Sequence, residues 1–431
     1  MAGLGRTGAS VVRMARSDGA GVIGYDDNEQ TAARVGVELG LDAVGSTDAF
    51  IDTALGDVDE VVVSPGFPLA HKLRAAAKAH GVRVLGDVEL AATRTNTPII
   101  AVTGTNGKST VTRLVAEMLN ADGKPAIEAG NVGYPILDAI NDAAEFYVVE
   151  VSSFQLADTH AFHPVVGVWT NLTPDHLDWH PTVEHYVESK ARLWANQTEN
   201  DLAIVNAEDP TVMNASVGIA PRRVTFGLDA GDAHMAGDRL IGPQGEDLGI
   251  ISELSRPFPH ELANGLAAAA AALGVGASAD ACRTALRDFR GLPHRIELVG
   301  HIGGVPCYDD SKATTPASVV TALRAFPSAV LIAGGKNKGL DLSVLADAAD
   351  HVRAVVTIGT AAPEVAAAFD GVRPVSHAAS MDEAVAQAIH AARAGDAVLL
   401  SPACTSWDAY RDYAERGDDF ARAVKELAAT R

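Results

Sequence analysis

The stretch that decides the fold is residues 98–110, which read Pro98-Ile99-Ile100-Ala101-Val102-Thr103-Gly104-Thr105-Asn106-Gly107-Lys108-Ser109-Thr110. Its apolar first half predicts a short buried strand, and its second half predicts a glycine-rich turn that opens a helix. Successive backbone N–H groups in such a turn, together with the helix N-terminus, point at an anion. Lys108 and the hydroxyl of Ser109 follow the turn, at the positions that contact the phosphates and the magnesium ion of a bound nucleoside triphosphate in a phosphate loop.

This turn is tighter than the common phosphate-loop pattern. That pattern has a glycine six residues before the lysine, where this chain has Val102, and the glycine is found at Gly104 instead. The alternative is an ordinary strand-to-helix turn with a lysine on its rim, but the flanking strand and helix favour a phosphate loop. The predicted nucleotide-binding residues here are Gly104, Thr105, Asn106, Gly107, Lys108, Ser109 and Thr110.

Strand-like apolar runs alternate with helical patterns along almost the whole chain, which predicts an α/β fold with parallel sheets flanked by helices. Polar residues 93–98 and the run Gly291-Leu292-Pro293 separate three predicted domains, residues 1–92, 93–293 and 294–431. The middle domain should carry a small antiparallel excursion within residues 222–258. The alanine-rich residues 267–272 fit a buried helix.

The first predicted domain opens with a glycine motif, Gly3-Leu4-Gly5-Arg6-Thr7-Gly8, and Asp26 and Asp27 follow about 20 residues later. Alone, this pattern would suggest the dinucleotide site of a nicotinamide oxidoreductase. The strand that should precede the motif is absent from the sequence. We therefore expect a Rossmann-like domain whose first strand is missing.

Composition restricts the range of partners. The 431 residues include 34 basic and 55 acidic side chains, a net charge of −21, which argues against a nucleic-acid or anionic-membrane partner. No apolar run is long enough to cross a membrane. The three cysteines are scattered and lack metal-ligand spacing, so buried free thiols are expected. A cytoplasmic protein that acts on small molecules is predicted.

Two polar clusters follow predicted strands of the middle domain. Glu150 ends one strand, and His176 lies in a cluster that follows another. Because parallel strands end at one edge of a sheet, Glu150 is well placed to bind magnesium, and His176 could be a metal ligand or an orienting base. Lys190 and Arg192 lie on a predicted helix, and their spacing alone favours a solvated face.

Three polar loops characterise the last predicted domain. They are residues 308–315, 334–339 and 401–408, and they supply lysines and hydroxyls. The last two follow apolar strands directly. Loops of this composition at the carboxyl ends of strands suit a small anionic substrate such as an amino dicarboxylate.

Taken together, the motifs resemble those of the Mur ligases, in the family's order and over nearly the whole chain. They are Ser64-Pro65-Gly66, residues 86–90, 103–110, 130–133, 150–156 and 171–178, Lys190, residues 206–209, Gly291-Leu292-Pro293-His294-Arg295, residues 310–314 and Ser401-Pro402-Ala403-Cys404. One departure is Pro259-His260-Glu261 ahead of Asn264, where family members often carry Gly-x-His-Asn.

The resemblance implies a role for each domain. The first would bind a UDP-sugar, through Arg6, Thr7, Asp26, Asp27, Ser64, Asn131, Ser152 and Gln155. The second would bind ATP with further contacts from Asn264, His294, Arg295 and Asp310. The third would bind D-glutamate through Lys312, Thr314, Lys338, Ser406, Trp407 and Tyr413. The implied catalytic residues are Lys108, Glu150, His176 and Lys190, with magnesium held by Ser109, Glu150, His176 and a carbamate on Lys190.

The implied activity is ATP-dependent ligation of D-glutamate to UDP-N-acetylmuramoyl-L-alanine through an acyl phosphate, by a monomer with two magnesium ions, in peptidoglycan precursor synthesis. Residues 310–314 and 401–404 favour D-glutamate over the amino acids of sister ligases, and the Asp-Asn-Pro-Arg run of the diamino-acid enzymes is absent. The alternatives are a sister Mur ligase, a folylpolyglutamate synthetase-like ligase, or a regulatory module that hydrolyses ATP without ligation.

Overall fold

The computed structural model describes residues 1–45, 47–177 and 179–430. The chain divides into two compact units, Met1–Phe289 and Arg290–Arg431, called here the first and second unit. No helix among the described residues is long and apolar enough to cross a membrane. The three cysteines are free and buried, as predicted.

The N-terminal part of the first unit is a small parallel sheet. Strand β1 (Ile23–Tyr25) pairs with β2 (Asp42–Val44), and β3 (Glu60–Val63) pairs with β4 (Arg83–Gly86). Ala2 forms parallel bridges with both Tyr25 and Val63, so it joins the two strand pairs. It lies where the first strand of a Rossmann-like sheet would run, the strand that was expected to be missing. The helices are α1 (Arg6–Ser17), α2 (Glu29–Leu39), α3 (Thr47–Thr53), α4 (Lys72–Ala79) and α5 (Asp87–Ala92).

The rest of the first unit is built on a six-stranded parallel sheet in the order β10-β9-β8-β5-β7-β6. Its strands are β5 (Ile99–Thr103), β6 (Ala126–Gly130), β7 (Phe146–Glu150), β8 (Val166–Trp169), β9 (Leu202–Asn206) and β10 (Arg222–Phe226). Its helices are α6 (Lys108–Ala121), α7 (Ile136–Ala139), α8 (Ser153–Ala157), α9 (Val183–Ala191), α10 (Pro210–Ala215), α11 (Pro259–Gly274) and α12 (Ala279–Asp288).

Sequence pattern explains this sheet. All five residues of β5 are buried, because a parallel sheet covered on both faces selects continuous apolar strands. The predicted antiparallel excursion is confirmed as β11 (His234–Ala236), β12 (Arg239–Ile241) and β13 (Asp247–Ile250). The predicted alanine-rich helix is confirmed too, as part of α11, and its six alanines are buried.

Buried polar contacts hold the N-terminal sheet against the six-stranded sheet. Arg74 forms a bidentate ion pair with Asp158, at 2.6 and 2.9 Å. Gln155 donates to both carboxylate oxygens of Asp87, and Glu89 accepts three consecutive backbone N–H groups of the loop after α8. Groups of this kind are buried at low cost because each polar atom has a partner. The boundary predicted at residue 92 therefore lies inside one compact unit, and it stays a prediction.

The second unit is a six-stranded sheet in the order β14-β15-β19-β16-β17-β18, parallel except for the edge strand β14. Its strands are β14 (Glu297–Ile302), β15 (Val305–Asp309), β16 (Ala329–Gly334), β17 (Val352–Ile358), β18 (Val375–His377) and β19 (Ala397–Ala403). Its helices are α13 (Pro316–Leu323), α14 (Ala362–Ala368), α15 (Met381–Ala391) and α16 (Tyr413–Ala429). The predicted α/β class is confirmed in both units.

Candidate active site

The predicted phosphate loop lies between β5 and α6, at the carboxyl edge of the six-stranded sheet. Gly104 and Gly107 have φ values of 146° and 84°, which only glycine adopts readily. A Cβ atom at Gly104 would lie 1.9 Å from the Thr170 hydroxyl, and one at Gly107 would lie 2.3 Å from the side-chain oxygen of Asn264. A side chain at either position would overlap a neighbouring residue, so both positions require glycine. The structure also brings the Asn264 side chain against the loop.

The neighbouring loop after β8 braces the phosphate loop. The side chain of Asn171 accepts the backbone N–H of Asn106 at 2.9 Å and donates to its carbonyl at 3.1 Å. The Thr170 hydroxyl donates to the same carbonyl at 2.6 Å, and the Thr105 hydroxyl donates to the Thr173 carbonyl at 3.0 Å. The bracing role of Asn171 was not predicted from the sequence. The sequence feature that could have indicated this role is the position of Asn171 shortly after β8, the strand that pairs with β5.

Ser109 and Glu150 provide the oxygen ligands of a candidate magnesium site. The Ser109 hydroxyl donates to Glu150 Oε2 at 2.6 Å, and both side chains are buried. The Asn131 side chain donates to the other carboxylate oxygen at 3.2 Å. The Lys108 ammonium donates to loop carbonyls at 3.0 and 3.1 Å, which places it over the loop. Hydroxyl and carboxylate oxygens are ligands that magnesium prefers, so the residues present fit this ion.

Lys190 lies at the same edge, and its burial corrects the helix-spacing prediction of a solvated face. The side chain is 1% exposed, and its nitrogen donates to the Gly104 carbonyl at 2.8 Å. It lies 4.7 Å from the ring centre of Tyr186. Burial, reinforced by the nearby Lys108 charge, lowers the pKa of Lys190 well below its usual value. Spacing along α9 could not show that this face packs against the phosphate loop.

His176 lies in an aromatic cluster. Its ring centre is 4.8 Å from that of Phe154, and its Nε2 lies 3.6 Å from a carboxylate oxygen of Asp175. The backbone has a φ of 55°, and about half of the side chain is exposed. The other flanking carboxylate of the motif, Asp178, lies outside the described residues. The roles predicted for His176, as metal ligand or base, stay predictions.

The two candidate uracil-binding aspartates differ in their surroundings. Asp26 accepts the backbone N–H groups of Leu4 and Asn28 at 2.8 and 3.0 Å, so it anchors the first glycine turn. Asp27 is exposed and accepts the hydroxyl of the buried Tyr25. A ligand at the carboxyl end of β1 can therefore reach the Asp27 carboxylate, whereas the carboxylate of Asp26 already accepts two backbone N–H groups.

Three further residues predicted for the UDP-sugar lie near the carboxyl ends of the N-terminal strands. Arg6 and Thr7 begin α1, and the Arg6 guanidinium donates to the Gly133 carbonyl at 3.2 Å. Ser64 follows β3, where a Cβ atom on Gly3 would lie 2.1 Å from the Ser64 hydroxyl. The structure thus places the glycine turn and Ser64 side by side.

Ser152 and Gln155 form a buried capping box at the start of α8. The Gln155 side-chain oxygen accepts both the N–H and the hydroxyl of Ser152 at 3.0 Å. Its nitrogen donates to Asp87, whose pKa burial raises to about 6. These contacts use the polar atoms of the Gln155 side chain within the protein, and its predicted ligand contact stays a prediction.

In the second unit, three polar loops follow the adjacent strands β15, β19 and β16 at one edge of the sheet. The Lys312 ammonium lies 5.5 Å from the ring centre of Tyr413, and that of Lys338 lies 4.6 Å from the ring centre of Trp407, which is 62% exposed. The residues predicted to hold the amino acid, all found on these loops or at the start of α16, are Lys312, Thr314, Lys338, Ser406, Trp407 and Tyr413.

The same unit contains the remaining residues predicted to contact ATP. His294 has a φ of 59° and lies 2.7 Å from a carboxylate oxygen of Asp309, and this hydrogen bond raises the pKa of the imidazole. Arg295 follows it. Asp310 is buried, accepts the Ser401 hydroxyl at 2.6 Å, and has its pKa raised to about 7 by burial.

The parallel sheet, the phosphate loop and the adjoining carboxylate define a nucleotide-binding α/β protein of the phosphate-loop class. Family models narrow the class further. A Mur ligase MurD-like N-terminal domain matches residues 1–86, a Mur ligase middle domain matches residues 102–272, and a Mur ligase glutamate ligase domain matches residues 294–404.

Curated relatives align over nearly the whole chain. The UDP-N-acetylmuramoylalanine–D-glutamate ligase of Desulfosudis oleivorans is 41% identical over 443 residues, which cover 99% of this chain and 95% of the relative. The enzyme of the same name from Methylococcus capsulatus is 40% identical over 440 residues, covering 99% and 94%. The chain belongs to the Mur ligase family, whose members use ATP and Mg²⁺.

Solved structures share the fold. UDP-N-acetylmuramate-alanine ligase MurC from Thermotoga maritima superimposes with a TM-score of 0.62 at 19% identity, over 99% of this chain and 98% of that one. MurF ligase from Thermotoga maritima in complex with ADP gives a TM-score of 0.61 at 16% identity, over 87% and 97%. At these identities the likeness concerns the fold alone.

Proposed function

We propose that this protein joins D-glutamate to the L-alanine carboxylate of UDP-N-acetylmuramoyl-L-alanine, with cleavage of ATP to ADP and phosphate. The observation that carries the proposal is the full-length similarity, at 36–41% identity, to enzymes named for this reaction. The contacts among the phosphate loop, Ser109 and Glu150 support the ATP-dependent part. The polar loops of the second unit suit a dicarboxylate amino acid.

The chemistry explains why ATP is needed. A carboxylate is a poor electrophile, so its oxygen first attacks the γ-phosphorus of ATP, and an acyl phosphate forms as ADP leaves. The amine of D-glutamate then adds to the acyl carbon, and the tetrahedral intermediate collapses to an amide as phosphate leaves and the amine loses a proton. No covalent bond to the protein is needed, so the protein contributes positioning and charge neutralisation.

The residues of the first unit fit those tasks. Lys108 and the backbone N–H groups of the loop hold the phosphates, and the brace from Asn171 keeps the loop in place before ATP binds. Ser109 and Glu150 would hold magnesium, which supplies positive charge beside the transferred phosphoryl group. We further propose a second ion, held through His176 and a modified Lys190.

The proposed modification is a carbamate on Lys190. An uncharged lysine amine adds to carbon dioxide, a nitrogen–carbon bond forms, and a proton leaves, which converts the side chain into an anion with two oxygen ligands. Burial and the Lys108 charge favour the uncharged amine that this reaction needs. Because the carbamate is an anion, it can bind magnesium where an ammonium ion cannot.

The proposal assigns the UDP-sugar to the N-terminal sheet and D-glutamate to the second unit. ATP and UDP-sugars are cytoplasmic metabolites, so we place the reaction in the cytoplasm. We propose that the enzyme acts as a monomer on small molecules, without a nucleic-acid partner, as the net charge of −21 suggests.

The experiment is a measurement of phosphate release with ATP, Mg²⁺ and UDP-N-acetylmuramoyl-L-alanine across a panel of amino acids. We expect release that requires both the UDP-sugar and D-glutamate, with the amide product found by mass spectrometry. Release with L-alanine or a diamino acid in place of D-glutamate would indicate a sister activity. Release without any amino acid would indicate an ATP-hydrolysing module and contradict the proposal.

A further inference from the structure

A buried arginine lies among the three polar loops of the second unit. Arg416 is in the first turn of α16 and is 1% exposed. Its Nε and Nη2 donate to the hydroxyl and the carbonyl of Ser311, both at 2.9 Å, and its Nη1 donates to the Cys404 carbonyl at 3.1 Å. All three acceptors are neutral oxygens, so each guanidinium nitrogen has a hydrogen-bond partner while the positive charge is not neutralised by contact.

Among the described residues, no carboxylate lies within 4.0 Å of the Arg416 guanidinium; its bonds go to Ser311 and Cys404. The acidic groups that act on it from farther away are engaged elsewhere: Asp309 with His294, and Asp408 with the backbone N–H of Thr360 at 2.9 Å. Burial lowers the pKa of Arg416 to about 10, so the side chain stays charged at neutral pH. A buried charge without a counter-ion is costly to the fold, which suggests a use outside stability.

The hydrogen bonds of Arg416 fix the loops that carry the predicted amino-acid contacts. Ser311 directly precedes Lys312, and Cys404 lies two residues before Ser406. The third loop abuts the same guanidinium, since a Cβ atom on Gly335 would lie 3.0 Å from Arg416 Nη1. A planar, five-donor guanidinium can hold several loops at once, which a lysine ammonium does less well.

We propose that Arg416 is a positioning residue for D-glutamate: it holds the loops of Lys312 and Ser406 in register and adds a buried positive charge behind the dicarboxylate. This inference rests on the proposed function and deepens it. Arg416 is not assigned a contact with the substrate, because it acts through the loops it binds.

The test compares two substitutions in the full-length enzyme, Arg416→Lys and Arg416→Gln. We expect the KM for D-glutamate to rise roughly 10- to 100-fold in Arg416→Gln, because hydrogen bonds to a charged group are lost. The KM for ATP and for the UDP-sugar should stay near the wild-type values. Arg416→Lys keeps the charge but not the fork, so it should show a smaller rise in the KM for D-glutamate.

A matched control is Arg422→Gln, on the same helix. Arg422 is exposed and pairs with Asp382 and Asp419, and the variant should behave as the wild type does. Thermal unfolding checks that each variant folds. An unchanged KM for D-glutamate in a folded Arg416 variant, or loss of the fold in both variants, would overturn the inference. A wild-type enzyme that releases no phosphate with D-glutamate would instead overturn the proposed function.

Discussion

A buried cation lies at the proposed site of each unit, Lys190 in the first and Arg416 in the second. The two side chains differ in how burial affects their pKa. In the first unit, Lys190 is 1% exposed beside Lys108, and its pKa is lowered well below the usual value. In the second unit, Arg416 is equally buried, yet its pKa falls only to about 10. Burial therefore favours the uncharged amine of Lys190, whereas Arg416 keeps its charge at neutral pH.

This difference shows that burial has opposite uses for the two side chains. A desolvated lysine becomes a neutral amine and can form a covalent bond, which is what a carbamate requires. A desolvated guanidinium stays charged and multiply hydrogen-bonded, which suits holding loops.

The largest effect is expected from Lys108, the proposed phosphate-binding cation of the first unit. Lys108→Ala should lower ATP-dependent ligation by at least about 10³-fold, because the charge that stabilises the transferred phosphoryl group is lost. The measurement is D-glutamate-dependent phosphate release. Lys124→Ala, which removes an ammonium that pairs with Asp122 after the same helix, is the control and should retain activity. Near-normal turnover of Lys108→Ala would contradict the phosphate-loop assignment.

The next effect tests whether the buried lysine works as an anion. Lys190→Ala should lower turnover by roughly 10²-fold, because the proposed magnesium ligand is lost. Short carboxylates such as formate or acetate, added to the assay, should restore part of the activity by occupying the space of the carbamate.

The matched variant for this test is Lys190→Arg, which keeps a long cation and cannot be carbamylated. It should be impaired as much as Lys190→Ala and should not respond to added carboxylates, since the guanidinium fills the space. Full activity of Lys190→Ala, or equal rescue of both variants by carboxylates, would contradict the proposal that Lys190 is carbamylated.

A smaller effect is expected from an exposed cation of the second unit. Lys338→Met should raise the KM for D-glutamate about fivefold, because a solvent-screened cation contributes less than a buried one. The control is Lys425→Met on the exposed face of α16, which should leave the KM unchanged. A larger effect for Lys338 than for Arg416 would reverse the proposed order of the two cations.

The smallest effect on activity is expected from a substitution that tests stability. The pKa of Asp87 is raised by burial from 3.8 to about 6, so its contribution is fully present below pH 3.8 and is lost as the pH rises through 6. Asp87→Asn should therefore flatten the pH dependence of the free energy of unfolding between pH 4 and 6.5 by about 3 kcal/mol, because the pKa rises from 3.8 to about 6 on folding. Urea unfolding at several pH values measures it. A steeper dependence in the variant would show that burial is not the dominant cause.

Much of the first unit's site could be predicted from sequence, because its signals are local. Residues 98–110 contain strand, turn and helix start in one continuous segment, and Glu150 follows directly from an apolar strand. The glycines at 104 and 107 and the hydroxyl of Ser109 lie where the pattern requires them. The antiparallel excursion and the alanine-rich helix were also local signals, and both predictions are confirmed.

The sequence therefore determined the α/β class, the phosphate loop and the order of the family motifs, since each depends on residues that are neighbours in the chain. Only the tertiary structure decided that Lys190 is buried, that Asn171 braces Asn106, and that Arg416 reaches Ser311, 105 residues away. Spacing along a helix cannot show what packs on its faces. Whether a cation is solvated, neutral or held as a buried charge depends on packing between distant segments.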